Sequence, residues 1–412
     1  MMKELRIGII GCGTISHRHM FTWPYVPEAK VVAAAEIDPI KLKRWGQQYR
    51  FDEKDLYTDF RELLKRDDID AVDVCVHNNL HTPIAIEVLK AGKHCYSEKP
   101  MAGSYADAKL LYDAGKTIGP KLAIQISSVF NYQTRKAKEM INAGKLGELY
   151  HGRIVGNRLA GRCGLDMPQM SSDFMSKEIG GHGPLFDIGV YHISQMLYLA
   201  GLPELESVYG AAYNKCHMDE RLLRGRKFEV EDLGIGLARY KGGFTLDMFE
   251  SWAFNQEEVG ENLLVGTEGG FKIINCDGVG GEIAIREYSK MMPGSNFFGH
   301  PELTFIGYEN NQRYEMKLRC QENQSMEEIA DPKMAWFNNN QTHWAAYLRG
   351  DLTDETRIDT PYIALQSALV SEGVFLSDKL GHSVTKDEIE AMSTSTAVRR
   401  QVTPWGTFDY DF

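Results

Sequence analysis

Near its N-terminus the chain reads Leu5-Arg6-Ile7-Gly8-Ile9-Ile10-Gly11-Cys12-Gly13-Thr14-Ile15-Ser16. A short apolar segment leads into two glycines, and a helix-like stretch follows. This order predicts a buried strand, a tight turn and a helix N-terminus whose backbone N–H groups can approach a pyrophosphate. We therefore place a candidate dinucleotide site at Gly11, Gly13, Thr14 and Ile15. The last glycine of the usual six-residue fingerprint is missing, so an ordinary glycine turn is the alternative.

The pattern changes along the chain. Up to about residue 126, short apolar runs alternate with helix-like stretches, which predicts a doubly wound parallel sheet, a Rossmann domain. Beyond Asn131, longer alternating segments predict an antiparallel sheet with one buried face. We therefore expect an α/β protein with two domains. An NAD-binding Rossmann domain covers 1–126, and an α+β domain for substrate binding and oligomerisation, built on a large, mostly antiparallel sheet, covers 127–412. Long loops are expected at 278–309 and 326–340.

Composition limits the classes of function. Of 412 residues, 43% are hydrophobic and 25% charged, the balance of a soluble globular enzyme. The net charge of -11 argues against nucleic acid as a partner. We expect no signal peptide and no membrane span, and therefore a cytoplasmic protein. The seven cysteines are scattered and include no Cys-x-x-Cys pair, which predicts reduced thiols and no metal site.

An acidic residue follows the second predicted strand, in Val31-Val32-Ala33-Ala34-Ala35-Glu36-Ile37-Asp38-Pro39. A carboxylate at Glu36 can accept hydrogen bonds from ribose hydroxyls and would repel a 2′-phosphate. Position 37 is Ile, not a basic residue that would bind that phosphate. Asp38 is the competing ribose ligand, but it precedes Pro39 and is better suited to cap a helix. The pattern favours NAD over NADP.

A third stretch is more specific, Gly92-Lys93-His94-Cys95-Tyr96-Ser97-Glu98-Lys99-Pro100. Before it stand Asp70-Ala71-Val72-Asp73-Val74 and Asn78-Asn79-Leu80-His81, and after it Gly144-Lys145-Leu146-Gly147-Glu148. Together these motifs resemble the Gfo/Idh/MocA family of oxidoreductases, which carry Ala-Gly-Lys-His and then Glu-Lys-Pro at the end of a Rossmann strand. The resemblance implies cofactor contacts at Asn78, His81, Glu98 and Lys99. His77 is a further candidate near the nicotinamide, with an ordinary loop histidine as the alternative.

The chemistry of Lys99 can also be argued without the resemblance. It follows a predicted strand at the edge of the sheet where open α/β proteins bind ligands. Its ammonium can hydrogen-bond a reacting oxygen and stabilise the negative charge that develops as a hydroxyl proton leaves. The alternative is a surface lysine beside a turn proline. We interpret Lys99 as a catalytic residue.

A glycine-rich segment in the second domain supplies the other candidates, Gly180-Gly181-His182-Gly183-Pro184-Leu185-Phe186-Asp187-Ile188-Gly189-Val190-Tyr191-His192. It predicts a helix over 185–199 with Asp187 and Tyr191 on one face. The resemblance implies an acid–base group four residues after Asp187, which is Tyr191. His192 is the alternative, since imidazole matches neutral pH better than phenol. Asp187 is expected to be their electrostatic partner, or else to bond a backbone group.

These residues predict an enzyme that uses NAD to transfer a hydride to or from a secondary hydroxyl of a sugar, glycoside or cyclitol. Tyr191 or His192 would exchange the hydroxyl proton while Lys99 holds the oxygen. Two alternatives are an NAD-dependent glycosidase that oxidises its sugar transiently, and a non-catalytic NAD-dependent sensor. An exposed sheet face in the second domain, where relatives pair subunits, predicts a homodimer or homotetramer.

Overall fold

The computed structural model describes residues 4–167, 170–256, 259–274, 302–319 and 340–412. The chain divides into two compact units. The first contains residues 1–125, 339–365 and 394–412, and the second contains residues 126–338 and 366–393. Two segments of the range 127–412 therefore belong to the first unit.

The first unit alternates strands and helices along the chain: β1 (Leu5–Ile10), α1 (Thr14–Thr22), β2 (Ala29–Ala35), α2 (Pro39–Tyr49), β3 (Leu56–Tyr57), α3 (Phe60–Leu64), β4 (Ala71–Val74), α4 (His81–Lys90), β5 (His94–Ser97), α5 (Tyr105–Thr117) and β6 (Leu122–Ile124). The strands form one sheet in the order β3-β2-β1-β4-β5-β6. Every neighbouring pair is parallel. This is the strand order of the Rossmann fold, and the prediction of a doubly wound domain is confirmed.

Local sequence explains where these elements start. Asp38 accepts hydrogen bonds from the backbone N–H groups of Ile40 and Lys41, at 2.9 and 3.1 Å, so it caps α2 as the sequence predicted. Ser104 caps α5 in the same way through the N–H of Asp107. All four residues of β4 are buried, as expected for a central strand with helices on both faces. Because β1, β2, β4 and β5 are parallel neighbours, their carboxyl ends lie at the same edge of the sheet.

The second unit begins with α6 (Tyr132–Asn142), β7 (Leu149–Gly156), α7 (Pro184–Asp187), α8 (Gly189–Leu199), β8 (Leu205–Tyr213), α9 (Glu220–Leu223), β9 (Leu233–Tyr240), β10 (Thr245–Ser251), β11 (Asn262–Gly266), β12 (Gly269–Ile274), β13 (Glu302–Glu309) and β14 (Gln312–Arg319). The elements that follow along the chain are α10 (Asn340–Arg349), α11 (Thr360–Leu380), β15 (Val384–Thr385), α12 (Lys386–Met392), β16 (Arg400–Thr403) and β17 (Gly406–Asp409). Of these, α10, β16 and β17 belong to the first unit. None of the helices in the described residues has the length and apolar composition needed to cross a membrane.

The second unit is built on a nine-stranded sheet in the order β14-β13-β12-β11-β7-β10-β9-β8-β15. Within it β7 and β10 are parallel, and the other neighbours are antiparallel. Buried and more exposed positions alternate along β10, which is the pattern of a sheet with one covered face. The prediction of a mostly antiparallel sheet is confirmed.

Two expectations about local structure were wrong or incomplete, and a third is largely untested. The predicted loop 278–309 contains β13, which pairs with β12 and β14. The predicted helix 185–199 is two helices, because the helical run is interrupted at Ile188 between α7 and α8. Asp187 and Tyr191 therefore do not share one continuous helix. The other expected loop lies outside the described residues, except that residue 340 begins α10.

The C-terminal segment is fastened to the first unit by Asp107, a carboxylate that is only 1% exposed. It accepts hydrogen bonds from the Ser395 hydroxyl and from the backbone N–H groups of Thr396 and Ala397, at 2.6 to 3.0 Å. Further along, the Tyr410 ring stacks on Phe60 with ring centroids 6.4 Å apart. Tyr410, near the end of the sequence, is therefore packed against its own chain.

Candidate active site

The glycine turn after β1 has the shape that a dinucleotide needs. Gly11 has a φ of +94°, and a Cβ there would lie 2.5 Å from the carbonyl oxygen of Cys75, so no other residue fits without moving the backbone. Gly13 precedes α1 as its N-cap and faces open space, with no atom within 4 Å of its missing Cβ. The amide groups of Thr14 and Ile15 begin α1 beside that space. A pyrophosphate fits this helix N-terminus.

Glu36 follows β2 and lies next to the same turn. Its Oε2 accepts a hydrogen bond from the Cys12 N–H at 3.0 Å, and its Oε1 accepts one from the Asp38 N–H at 3.2 Å. The carboxylate is thereby fixed beside the glycines, where ribose hydroxyls are recognised in this fold. Sequence reasoning overlooked Lys41, whose ammonium lies 3.6 Å from Glu36 Oε2. Lys41 lies in the first turn of α2, which brings its ammonium close to the Glu36 carboxylate.

His77 and Asn78 lie where β4 gives way to α4, and His81 begins that helix. The His81 ring is buried, with Nδ1 2.6 Å from the Pro100 carbonyl oxygen and Nε2 3.1 Å from that of Val76. Burial lowers the pKa of His81 below its usual value. His81 therefore links the end of β4 to the turn that follows Lys99. Sequence reasoning had grouped it with the cofactor contacts.

Lys99 follows β5 at the carboxyl edge of the sheet, and its peptide bond to Pro100 is cis. Its backbone N–H donates to Oε2 of the preceding Glu98 at 2.9 Å. Glu98 is 3% exposed, so the turn that carries the lysine is fixed by a buried carboxylate. Lys99 thus stands where ligands bind in open α/β sheets.

Behind this turn lies a buried charged network that sequence reasoning missed. His19 Nε2 is 2.7 Å from Glu98 Oε1, and His19 Nδ1 is 2.8 Å from Asp73 Oδ2. The indole N–H of Trp23 also donates to Asp73, at 2.7 Å. A signal was present, because Asp73 interrupts an apolar strand and a buried carboxylate needs a partner.

Three side chains of this network also have the spacing of a metal site. The ligand atoms of His19, Asp73 and Cys75 lie within 4.8 Å of one another, and all three residues are buried. The imidazole and indole hydrogen bonds already account for the Asp73 oxygens. The Cys75 thiol also donates to Asp73 Oδ1 at 3.5 Å, and burial raises its pKa. We interpret the group as a hydrogen-bond network.

In the second unit, Asp187 ends α7 and is 8% exposed. Its Oδ2 accepts a hydrogen bond from the indole N–H of Trp252 at 3.1 Å, and the Cys163 thiol lies 3.8 Å from the same oxygen. Trp252 and Cys163 belong to a small apolar cluster with Ile188 and Val230. The structure thus places Asp187 at the edge of a packed apolar region.

Tyr191 and His192 occupy the first turn of α8 and differ in exposure. Tyr191 is partly exposed, and its backbone carbonyl accepts a hydrogen bond from the Ser128 hydroxyl at 2.7 Å. His192 is 4% exposed, and its Nδ1 lies 2.7 Å from Oε1 of Glu250, a residue of β10. Glycine at position 156 leaves room for that carboxylate, since a Cβ there would lie 2.0 Å from Glu250 Oε2. Of the two candidates, Tyr191 is the more accessible.

Two ionisable side chains with shifted pKa values, His182 and Glu231, lie at the start of α7. The His182 ring is stacked between Phe186 and Phe375, with ring centroids 4.5 and 4.2 Å apart, and burial lowers its pKa to about 4. Glu231 accepts hydrogen bonds from the Gly183 and Leu185 N–H groups, yet burial raises its pKa to about 7. Gly183 is required here, because a Cβ would lie 2.2 Å from the Glu231 carbonyl oxygen.

Comparison with known families agrees with these two units. Residues 5–125 match the model described as "Oxidoreductase family, NAD-binding Rossmann fold", and residues 134–272 match the "GFO/IDH/MocA C-terminal domain". The predicted cofactor, NAD, is confirmed by the first of these matches. The predicted resemblance is confirmed by both.

Individual relatives are similar at modest identity. D-glucoside 3-dehydrogenase of Escherichia coli K12 is 27% identical over 262 residues, which cover 62% of this chain and 72% of that protein. Levoglucosan dehydrogenase of Pseudarthrobacter phenanthrenivorans is 32% identical over 48% of this chain and 52% of its own length. D-apiose dehydrogenase of Paraburkholderia graminis is 22% identical, over 97% of this chain and 96% of that protein.

Solved structures share the fold along most of the chain. A levoglucosan dehydrogenase in complex with NADH and L-sorbose has a TM-score of 0.71 and 19% identity, over 93% of this chain and 99% of that chain. The aldose–aldose oxidoreductase of Caulobacter crescentus has a TM-score of 0.67 and 20% identity, over 93% of this chain and 100% of that chain. At this identity the likeness concerns architecture.

Proposed function

The chain belongs to the Gfo/Idh/MocA family of oxidoreductases, and from this premise we propose that it is an NAD(H)-dependent dehydrogenase of carbohydrates. It transfers a hydride between the nicotinamide and a secondary hydroxyl of a sugar, glycoside or cyclitol. The observation that carries the proposal is the position of Lys99, at the carboxyl edge of the sheet with its backbone held by the buried Glu98. A surface lysine beside a turn would not need such a support.

Each chain residue has a separate task in this reaction. When NAD is bound, its nicotinamide accepts or returns the hydride. The Lys99 ammonium hydrogen-bonds the reacting oxygen and stabilises its developing negative charge. Tyr191 takes the hydroxyl proton during oxidation and returns it during reduction. Asp187, fixed by the Trp252 indole, holds negative charge on the substrate side.

The cofactor residues bind different parts of the dinucleotide. The backbone of Gly11 and Gly13 and the amides of Thr14 and Ile15 bind the pyrophosphate, and Glu36 accepts hydrogen bonds from the ribose hydroxyls. His77, Asn78 and His81 belong to the nicotinamide end with Glu98 and Lys99. In this group His81 supports the turn through the Pro100 carbonyl.

The substrate class is supported by the names of the relatives. D-glucoside 3-dehydrogenase, levoglucosan dehydrogenase and myo-inositol 2-dehydrogenase are named for oxidation of polyhydroxylated rings. We therefore expect this chain to act on a ring hydroxyl of a related compound. The Ser127–Phe130 turn lies beside the proposed acid–base residue, since the Ser128 hydroxyl donates to the Tyr191 carbonyl oxygen at 2.7 Å. This turn and residues 131 and 132 contain no basic side chain, which favours a substrate without strong negative charge.

The test is a panel of methyl glucosides, levoglucosan, myo-inositol and free aldoses, each incubated with NAD and the full chain. We expect reduced nicotinamide to accumulate in proportion to oxidised product with at least one of them. Lys99→Met is the matched control and should abolish most of this signal. Release of an aglycone without net NADH would instead indicate a glycosidase. NAD binding with no turnover on the whole panel would favour a sensor.

We also propose that the chain forms a homodimer or homotetramer through the outer face of the nine-stranded sheet. Tyr209 on β8 and Leu237 on β9 are directly paired and are 57% and 51% exposed, and exposed apolar patches of this kind mark interfaces. Light scattering at micromolar concentration should give a dimeric or tetrameric mass. Leu237→Glu should lower this mass, whereas Leu222→Glu, at an exposed leucine of α9, should not. A monomeric wild-type mass would contradict the proposal.

A further inference from the structure

The His19 network connects the cofactor helix to the candidate catalytic turn. His19 lies near the end of α1, Asp73 lies in β4, and Glu98 follows β5. The imidazole is between the two carboxylates, 2.8 Å from Asp73 and 2.7 Å from Glu98. The other Glu98 oxygen accepts the backbone N–H of Lys99. A single side chain of α1 is therefore one hydrogen bond away from the residue that fixes Lys99.

The geometry determines the charge on this histidine. Both ring nitrogens face carboxylate oxygens, which only accept hydrogen bonds, and a neutral imidazole has a single N–H to donate. Only the imidazolium satisfies both partners. Burial opposes the charged form, but the Asp73 carboxylate and the Cys75 sulfur together outweigh it and hold the pKa of His19 well above its usual value.

The other titratable groups that the described residues place beside His19 do not oppose this assignment. The Cys75 sulfur lies 3.4 Å from Nδ1 and, like Asp73, raises the pKa of His19. The Tyr96 ring stands edge-on with its centroid 5.8 Å away, and burial raises the pKa of its phenol. Trp23 carries no titratable proton in this range.

We propose that His19 is a positioning residue for the Lys99 turn, acting as a fixed cation that orients the Glu98 carboxylate. The inference rests on the proposed function, because it assigns His19 to the support of a catalytic lysine. Asp73 and Glu98 carry two negative charges, and His19 and Lys99 carry two positive charges, so the set is neutral as a whole. Removing the imidazolium leaves two carboxylates buried in a medium where unpaired charge is costly.

The consequence for catalysis is geometric. Without His19, the Glu98 carboxylate can rotate toward water or take up a proton, and the Lys99 N–H loses its fixed acceptor. Small displacements of a catalytic group have large effects on rate, up to about 10²-fold for a shift of about 1 Å. We expect a loss of about tenfold in kcat for His19→Gln. The affinity for NAD, measured by calorimetry, should change less than about threefold, because His19 lies more than one turn after the N-terminus of α1.

A double-mutant cycle with Lys99→Met separates positioning from general structural support. If His19 acts through Lys99, His19→Gln should lower kcat in the wild-type background and have almost no further effect in Lys99→Met. An equal loss in both backgrounds would overturn the inference and leave the proposed function standing. Near-normal turnover of Lys99→Met alone would overturn the proposed function itself. The substrate is the best compound of the carbohydrate panel.

Trp23→Phe is the matched control for stability. It removes an equally buried donor to the same Asp73 carboxylate but leaves the contact between His19 and Glu98 intact. We expect its urea midpoint to fall while kcat stays within about twofold of wild type. A loss of kcat as large as that of His19→Gln would show that any defect near Asp73 disturbs turnover, and would overturn the specific role of His19.

A measurement on the unaltered protein covers the case in which His19→Gln does not fold. In ¹⁵N-histidine NMR spectra with backbone-based assignment, both ring nitrogens of His19 should be protonated and should not titrate from about pH 6 to about pH 8. A neutral His19 at about pH 7 would overturn the inference without any enzyme assay.

Discussion

Two histidines show how differently the candidate residues of the two units are held. His19 in the first unit faces two carboxylates; burial lowers its pKa, but Asp73 and Cys75 together outweigh burial and raise the pKa well above its usual value. His182 in the second unit is partly buried, and its neighbours are the rings of Phe186 and Phe375. With no charge to offset burial, its pKa falls to about 4.

The contrast teaches that burial alone does not decide the state of an ionisable group. Charges at hydrogen-bond distance fix the Lys99 turn, whereas ring stacking and close glycine contacts fix the start of α7. The first region should therefore respond most to the loss of a charge. The second region should respond most to protonation of the His182 ring or to a change in the shape of its packed side chains. Each of the following variants breaks or sharpens this contrast.

The largest effect is expected for the charge at Lys99. Lys99→Met should lower kcat by about 10²–10³, or roughly 3–4 kcal/mol of transition-state stabilisation, while NAD affinity stays nearly unchanged. Lys99→Arg should restore little, because a planar guanidinium does not replace a compact ammonium. Lys109→Met removes a surface lysine paired with Asp113 and should have almost no effect. Normal turnover in folded Lys99→Met would contradict the charge-based account.

The second prediction concerns the two adjacent candidates on α8. Tyr191→Phe should lower kcat by about 10²-fold, or about 2.7 kcal/mol, because it removes the exchangeable phenol proton. His192→Gln should reduce kcat less than about tenfold and mainly lower the urea midpoint, since it disturbs the buried contact with Glu250. The reverse order of the two effects would assign the acid–base role to His192.

The third prediction returns to the first unit, where Glu36 is a charge that selects the cofactor. NAD should bind at least about tenfold more tightly than NADP, a difference of about 1.4 kcal/mol. Glu36→Ala should remove most of this preference, as measured by calorimetry with both dinucleotides. Lys41→Ala is the control. Loss of the nearby ammonium should leave the preference for NAD unchanged or increase it. Equal affinities in the wild-type protein would show that Glu36 does not contact the ribose hydroxyls.

Local signals in the sequence were sufficient to predict the strand, turn and helix that begin the first unit. Strand, turn and helix follow one another around Gly11, and an acidic residue ends the next strand at Glu36, so the cofactor edge could be placed from spacing alone. His19 and Asp73 are 54 positions apart, and only the tertiary fold of the first unit brings α1 and β4 together. The charge on Asp73 was the one available hint.

The second unit was harder to predict for a related reason. Its sheet is formed by strands that are distant in sequence, such as β7 with β10, and several of them carry weak alternation. The sequence predicts a loop over 278–309, but residues 302–309 form β13, which pairs with β12 and β14. Glu231 and Glu250 are important to α7 and α8, yet each lies in or beside a strand whose partner could not be read from the sequence.

The smallest effect is expected for His182, and it tests the neutral side of the contrast. The pKa of His182 is about 4 in the folded chain and about 6.5 in the unfolded chain. Between these values the unfolded chain binds more protons, so the unfolding free energy contributed by this group falls as pH falls from about 6.5 to about 4. The full shift corresponds to roughly 3 kcal/mol, but the ring is partly exposed, so we expect about 1 kcal/mol.

His182→Phe keeps a flat ring between Phe186 and Phe375 but cannot take up a proton. Urea unfolding of the variant and the wild type at about pH 4.5 and about pH 7 should give a difference in unfolding free energy that favours the variant by about 1 kcal/mol more at the lower pH. Comparing the two proteins is necessary, because Glu231, with a pKa of about 7, acts in the opposite direction over part of the same range and cancels in the difference. His382→Phe, at an exposed histidine, is the control and should give no such difference. If His182→Phe gives none either, the imidazole is as easily protonated in the fold as in the unfolded chain, and the aromatic stack does not hold His182 neutral.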